Sequence, residues 1–193
     1  MNSPLHVTLA PAFVLFATLA FTPGFIPPTE AAEKAVAPEK NPPGDIPDSQ
    51  VFVDYPSPLG FTLKVPEGWS RTDAPTGASF ADKYNTVTVS VAPVDKEPTA
   101  DINDPAVANL VSAGHAVKVT AVKSVKLKAG PAIQIVYAAN SDRNAVTNKQ
   151  IRLEGNRYLF FKDGKLATLD LTAPLGADNV DQWQLMANSF RWK

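Results

Sequence analysis

KQIRLEGNRYLFFKDGKLATLDL, residues Lys149–Leu171, is the stretch on which the reading of the fold turns. Two dipeptides in it, Gly155-Asn156 and Asp163-Gly164, have the composition of two-residue β-hairpin turns, whose mirror-image backbone favours Gly, Asn and Asp. Taken as turns, they predict antiparallel strands over 149–154, 157–162 and 165–173. The register follows, with residue 153 opposite 158, 151 opposite 160, 160 opposite 167 and 158 opposite 169. One face then holds Ile151, Leu153, Tyr158, Phe160, Ala167, Leu169 and Leu171, all apolar. The other holds Arg152, Glu154, Arg157, Leu159, Phe161, Leu166, Thr168 and Asp170, with Arg157 opposite both Glu154 and Asp170. A sheet with one apolar and one half-apolar face needs cover on both sides.

Two helices are at hand to supply it. Asp178 is placed to cap one whose apolar positions are Val180, Trp183, Met186 or Ala187, and Phe190. Asp104-Pro105 reads as N-cap and first turn of another, with Val107, Leu110 and Val111 inward and Gly114 as the glycine past its end. Period-two alternation marks further strands. Phe61, Leu63 and Val65 share a face until Pro66 stops the strand, and Trp69 follows as an edge cap. Val51–Tyr55, Ala78–Ala81 and Asn85–Ala92 are strands too, the last with Val87, Val89 and Val91 inward. In Val117–Ala129 the odd positions are apolar and Lys118, Lys126 and Lys128 face away, with the register breaking at Val122-Lys123. Ile133–Tyr137 follows the turn at Gly130-Pro131. The expected architecture is an α+β, α/β/α sandwich: a mostly antiparallel sheet of about six or seven strands between helices.

GFTLKVPEGW (Gly60–Trp69), the helix closing on Ser189-Phe190 and the hairpin series Lys149–Leu171 together resemble the PsbP-like family, across residues 51–193. Its type members are extrinsic lumenal proteins of photosystem II, and related sandwiches occur in exported bacterial proteins and a nuclear-transport factor. The resemblance implies a non-enzymatic accessory domain that acts through a protein partner. Some members bind metal ions or lipids, but their histidine-containing metal positions have no counterpart around His115.

Composition narrows the chemistry. The chain has 193 residues, no cysteine, and 18 Lys+Arg against 19 Asp+Glu. Disulfides, thiolate metal sites and cysteine nucleophiles are excluded, and net charge gives no pull toward nucleic acid. Residues 1–29 carry no charged side chain, and Val7–Phe21 is an apolar run of signal-peptide length, too short for a membrane span. Residues 1–31 are therefore expected to be a signal peptide, or an N-terminal anchor if uncleaved. Eleven of the 18 prolines lie in the first 58 residues, and 32–50 is expected to be a proline-rich linker before the domain at 51–193. The expected destination is the periplasm or exterior, as a monomer.

No catalytic set, metal site or cofactor motif stands out. His115 lacks a second histidine or cysteine in the domain and is placed to interact with a helix C-terminus. The acidic stretch 95–104 lacks the alternation and central glycine of a calcium loop. The partner-binding candidates are Lys118, Lys123, Lys126 and Lys128, against the plainer reading that lysines keep an edge strand from aggregating. The alternative is an apolar-ligand pocket between sheet and helix, lined by Leu159, Phe161 and Leu166. A carboxylate-based hydrolase is the least favoured reading.

Overall fold

The structure, a computed structural model, describes residues 33–193; the expected leader lies outside them. The fold is α+β. Strands β1 (Phe52–Ser57) and β2 (Phe61–Pro66) pair antiparallel, and the chain end returns as β10 (Arg191–Trp192) on the other side of β2. β1 runs through Pro56, which an edge strand tolerates because one side of it needs no N–H donor. Phe61, Leu63 and Val65 are buried on one face of β2, as their alternation requires.

The larger sheet is wholly antiparallel and has seven strands in the order β3-β4-β5-β9-β8-β7-β6. Its members are β3 (Ser70–Ala74), β4 (Gly77–Asp82), β5 (Asn85–Pro93), β6 (His115–Leu127), β7 (Gly130–Asn140), β8 (Arg152–Lys162) and β9 (Lys165–Pro174). Strand β3, fully exposed, carries no alternation and is not legible in the sequence. The Asp163-Gly164 turn is present, with φ of 50° and 72°, and sets Phe160 opposite Ala167 and Tyr158 opposite Leu169.

Gly155-Asn156 is not a turn. β8 runs straight through it, and the neighbour of β8 is β7, with Tyr137 opposite Gly155 and Ile133 opposite Leu159. The glycine is there because the Tyr137 ring lies across it. A Cβ on residue 155 would come within 2.4 Å of Tyr137 Cζ. Continuity of β8 also moves Leu153 to the face of Leu159, sends Arg152 and Glu154 to the other, and leaves Arg157 opposite Asp170 alone.

Each face of the sheet has its own core. Tyr158, Phe160, Ala167, Leu169 and Leu171 pack with Val87 and Val89, with the inner face of β2, and with Trp183, Met186, Ala187 and Phe190. Phe190 stacks on Phe160 at 4.0 Å and on Phe61 at 5.5 Å between ring centroids, joining the large sheet to the small one. On the opposite face Ile135, Tyr137, Ala139 and Leu159 gather around Val107 and Leu110. Helix α1 (Pro105–Ala113) supplies those last two, but Val111 is exposed. Helix α2 (Val180–Ser189) supplies Trp183, Met186 and Ala187, while Val180 is exposed. Cover is thus unequal: α2 shares one face with the small sheet, and on the other the Ser79–Thr88 hydroxyl pair stays exposed.

The helix ends were half legible. Asp104 caps α1, its carboxylate accepting from the Ala106 amide at 2.9 Å. Gly114 is extended (φ −103°), so its place does not depend on a left-handed backbone. α2 is capped not by Asp178 but by Asn179, whose side chain makes no bond to the helix.

That side chain is used elsewhere. Residues 33–50, expected as a spacer, lie along the end of the large sheet. Ile46 is buried in the core, its amide donates to Asn179 Oδ1 at 2.6 Å, and the Val36 amide donates to Asn140 Oδ1 at 3.0 Å.

Candidate partner-binding surface

The four lysines all lie on or beside β6, which is an edge strand of the large sheet. Lys118, Lys123, Lys126 and Lys128 are exposed, and none is in an ion pair among the described residues. They do not form one strip. Register shifts fall between His115 and Lys118 and between Val119 and Ala121, earlier than the expected break at 122–123. Lys118 and Lys123 pair with Ala138 and Gln134, on the α2 side, whereas Lys126 pairs with Pro131, on the opposite parity of β7.

The tertiary structure regroups part of them around α2. A groove of about 430 Å³ between α2 and the β6 edge is lined by Lys123 and Lys126, by Val125 and Leu127, and by Gln184 of the helix. Across the helix a second groove, about 690 Å³, is lined by Lys64, Lys128 and Arg191 with Asp54 and Asp181. Gln184 borders both, so α2 is a ridge between two basic furrows, with Val180 and Leu185 exposed on it. The Lys128 amide donates to Asn188 Oδ1 at 3.2 Å, tying the β6–β7 turn to the helix. The Ser189 hydroxyl accepts from the Lys64 amide at 2.8 Å and donates to the Met186 carbonyl. Lys64 and Arg191 escape a sequence reading: one is an ordinary outward position of β2, and the other reaches the groove only through β2–β10 pairing. Lys64 pairs with Asp54 at 3.1 Å across the β1–β2 rung, whereas the β6 lysines and Arg191 are in no ion pair among the described residues and supply the unpaired positive charge of the surface.

The expected apolar pocket is divided. Leu159 is buried beneath α1, and Phe161 and Leu166 face each other across the β8–β9 rung. Leu159 and Phe161 border one cleft of about 310 Å³, Leu166 another of about 440 Å³, on either side of the 94–104 loop. Two acids of that loop, Asp101 and Asp104, are used locally. Asp104 also accepts from the Thr99 amide and hydroxyl, and Asp101 accepts from Asn103. Burial pushes the Asp104 carboxyl up, but the Thr99 and Ala106 hydrogen bonds outweigh it and hold the group below the usual carboxylate range. Among the described residues no three His, Asp or Glu side chains converge on a metal position.

His115 bridges two carboxylates rather than a helix end, with Nδ1 2.7 Å from Glu33 Oε2 and Nε2 3.3 Å from Asp142 Oδ1. Nearby, a cleft of about 300 Å³ reaches a polar group between sheet and α1. Tyr137 donates to Asp170 Oδ1 at 2.8 Å and Arg157 donates to Oδ2 at 2.5 Å. Burial, then the charge of Asp170, pushes the Tyr137 hydroxyl far above its ordinary pKa, so it stays a neutral donor. With both oxygens of Asp170 occupied, this group is charge-balanced and suited to holding strands β7, β8 and β9 together.

No protein-family signature matches the chain, and no curated protein matches it in sequence. Solved structures do match its fold. The solution structure of cyanobacterial PsbP (CyanoP) from Synechocystis sp. PCC 6803 has a TM-score of 0.52 at 15% identity, covering 78% of this chain and 98% of that one. The Ran-binding protein Mog1p of Saccharomyces cerevisiae has a TM-score of 0.51 at 12% identity, covering 74% and 95%. At these identities the likeness is one of fold, and the fold is PsbP-like.

Proposed function

We propose that this chain, whose fold is PsbP-like, is an exported, non-enzymatic accessory domain that binds an acidic surface of a protein partner through the two furrows flanking α2. In this reading the framework is a three-layer α/β/α arrangement, and export rests on the apolar, uncharged N-terminal stretch. The observation that carries the binding site is the placement of Lys123, Lys126 and Lys128, none ion-paired among the described residues, beside an exposed helix ridge that offers Val180 and Leu185. Exposed cations at the rim of an interface speed encounter and set salt dependence, and the apolar ridge supplies area to bury. Edge-strand protection alone accounts for Lys118 but not for the convergence of the others with Lys64 and Arg191 around one helix.

The test is capture from an envelope fraction with the unaltered chain and with Lys123→Glu/Lys126→Glu/Lys128→Glu. A partner retained by the first, eluted by raised salt and lost by the second supports the assignment. Capture of the same partner by both forms, or of none by either, refutes it.

A further inference from the structure

The segment 33–50 is held in the manner of a bound peptide. Two asparagines of the domain, Asn140 and Asn179, each grip its backbone by the same two-point bond, to the carbonyl of one residue and the amide two residues on. Asn140 Nδ2 donates to the Lys34 carbonyl at 2.9 Å while Oδ1 accepts from the Val36 amide at 3.0 Å. Asn179 Nδ2 donates to the Gly44 carbonyl at 2.9 Å while Oδ1 accepts from the Ile46 amide at 2.6 Å. A side-chain amide used this way imitates the rung of a β-ladder and reads the main chain without regard to side chains, as strand-addition sites do.

Both amides also have partners within the domain. Arg152, itself buried, donates to Asn140 Oδ1 at 3.0 Å and to the Ala116 carbonyl at 2.9 Å. Asn85 accepts from Asn179 at 3.2 Å and donates to the same Gly44 carbonyl at 2.9 Å. Asn140, Arg152, Pro174 and Asn85 sit where β7 ends, β8 begins, β9 ends and β5 begins, so the groove follows one end of the sheet. Asn179 occupies the N-cap of α2 yet makes no capping bond. Its side chain is thus withheld from the helix and committed to the segment and to Asn85.

Side-chain selectivity is added at two positions. Ile46 is 4% exposed and belongs to the main core. Gly44 has φ +141°, and a Cβ there would lie 2.8 Å from Pro174 Cδ, so backbone and space both demand glycine. Pro38, Pro42, Pro43 and Pro47 keep the segment extended before it docks, which lowers the entropy lost on docking.

We propose that this end of the sheet is a peptide-recognition groove for an extended, proline-bearing segment with glycine two residues before a buried aliphatic. Residues 33–48 of the chain are its resident ligand, displaceable by a segment of the same pattern in trans. The groove is separate from the lysine furrows and does not depend on that assignment. Covalent linkage gives the resident segment a high effective concentration, so a peptide in trans competes poorly until the resident is released.

The test uses the full chain carrying Gly44→Val and Ile46→Asp, which spoil the segment and leave the groove untouched. A fluorescein-labelled peptide of residues 33–50 binds this variant saturably and the unaltered chain at least about tenfold more weakly. Adding Asn179→Ala to the variant, or Gly44→Val to the peptide, weakens binding at least about tenfold. Failure of the peptide to bind the folded variant, or binding that ignores Asn179→Ala, overturns the proposal. Should the variant not fold, amide hydrogen exchange of the unaltered chain decides. Val36 and Ile46 are protected, and unlabelled peptide in excess of the roughly millimolar effective concentration of the tethered segment removes that protection while leaving Val89 unchanged. Exchange at the free-chain rate without peptide, or protection that excess peptide leaves intact, overturns it.

Discussion

Replacing Gly155 by alanine separates two accounts of that residue. If it were a turn glycine, alanine would be penalised by its own backbone, whatever its neighbours. In the structure Gly155 is a strand residue outside the positive-φ set, and the obstacle is the Tyr137 ring, 2.4 Å from the new methyl at Cζ and 2.7 Å at the hydroxyl. To admit the methyl the ring must move by about 1 Å, an overpacking cost of about 1–3 kcal/mol. The same movement pulls the hydroxyl off Asp170, where a hydrogen bond to a charged group is worth about 1.5–3 kcal/mol. Alanine recovers about 0.5–1 kcal/mol of the backbone entropy that glycine loses in a strand. The net expectation is destabilisation by about 1.5–5.5 kcal/mol. In a Tyr137→Ala background, itself costing about 3–5 kcal/mol, the obstacle is gone and Gly155→Ala becomes neutral or stabilising by up to about 1 kcal/mol. Urea unfolding of the four forms gives the coupling directly. A Gly155→Ala cost that agrees within about 0.5 kcal/mol in both backgrounds refutes the close-approach account.

Phe190→Ala removes the ring that stacks between Phe61 and Phe160 and is expected to cost about 3–5 kcal/mol, seen as a lowered thermal midpoint with both sheets loosened. Asp104→Ala removes the α1 cap together with the Thr99 bonds and is expected to cost about 1–2 kcal/mol at pH 7 by urea titration. Because the folded carboxyl titrates below its unfolded counterpart, its contribution is present above the unfolded value of about 3.9 and is lost as pH falls through the lowered folded value; the gap between the two proteins should close in that acid window, and a gap unchanged down to pH 2 would contradict the assignment. Lys123→Glu/Lys126→Glu/Lys128→Glu should leave the urea midpoint nearly unchanged, since the three side chains are exposed; a large fall in stability would mean that they serve the fold.

Local patterning determined much of this protein. Alternation at Phe61, Leu63 and Val65, and at Val87 and Val89, sends those residues to the core because a strand's side-chain period is two. Asp104-Pro105 opens a helix and Asp163-Gly164 closes a hairpin because the geometry of each lies within the few residues that make it. The lysines of β6 were legible as exposed edge residues for the same reason.

Long-range contacts decided the rest. Gly155-Asn156 has as good a turn composition as Asp163-Gly164, and only Tyr137, 18 positions earlier in the chain and opposite it in the sheet, makes the first a strand. The β6 bulge redistributes the lysines, and pairing of β10 with β2 brings Arg191 to join Lys64, which no local pattern encodes. Proline richness made residues 33–50 look like a tether, since proline favours extension and gives no core of its own. Extension is equally the state in which a segment can be gripped by its backbone, and the grip resides in Asn140 and Asn179, more than 100 residues away. Sequence determines where the chain can bend, alternate and extend; the tertiary structure decides what each extended piece lies against, because that depends on partners distant in the chain.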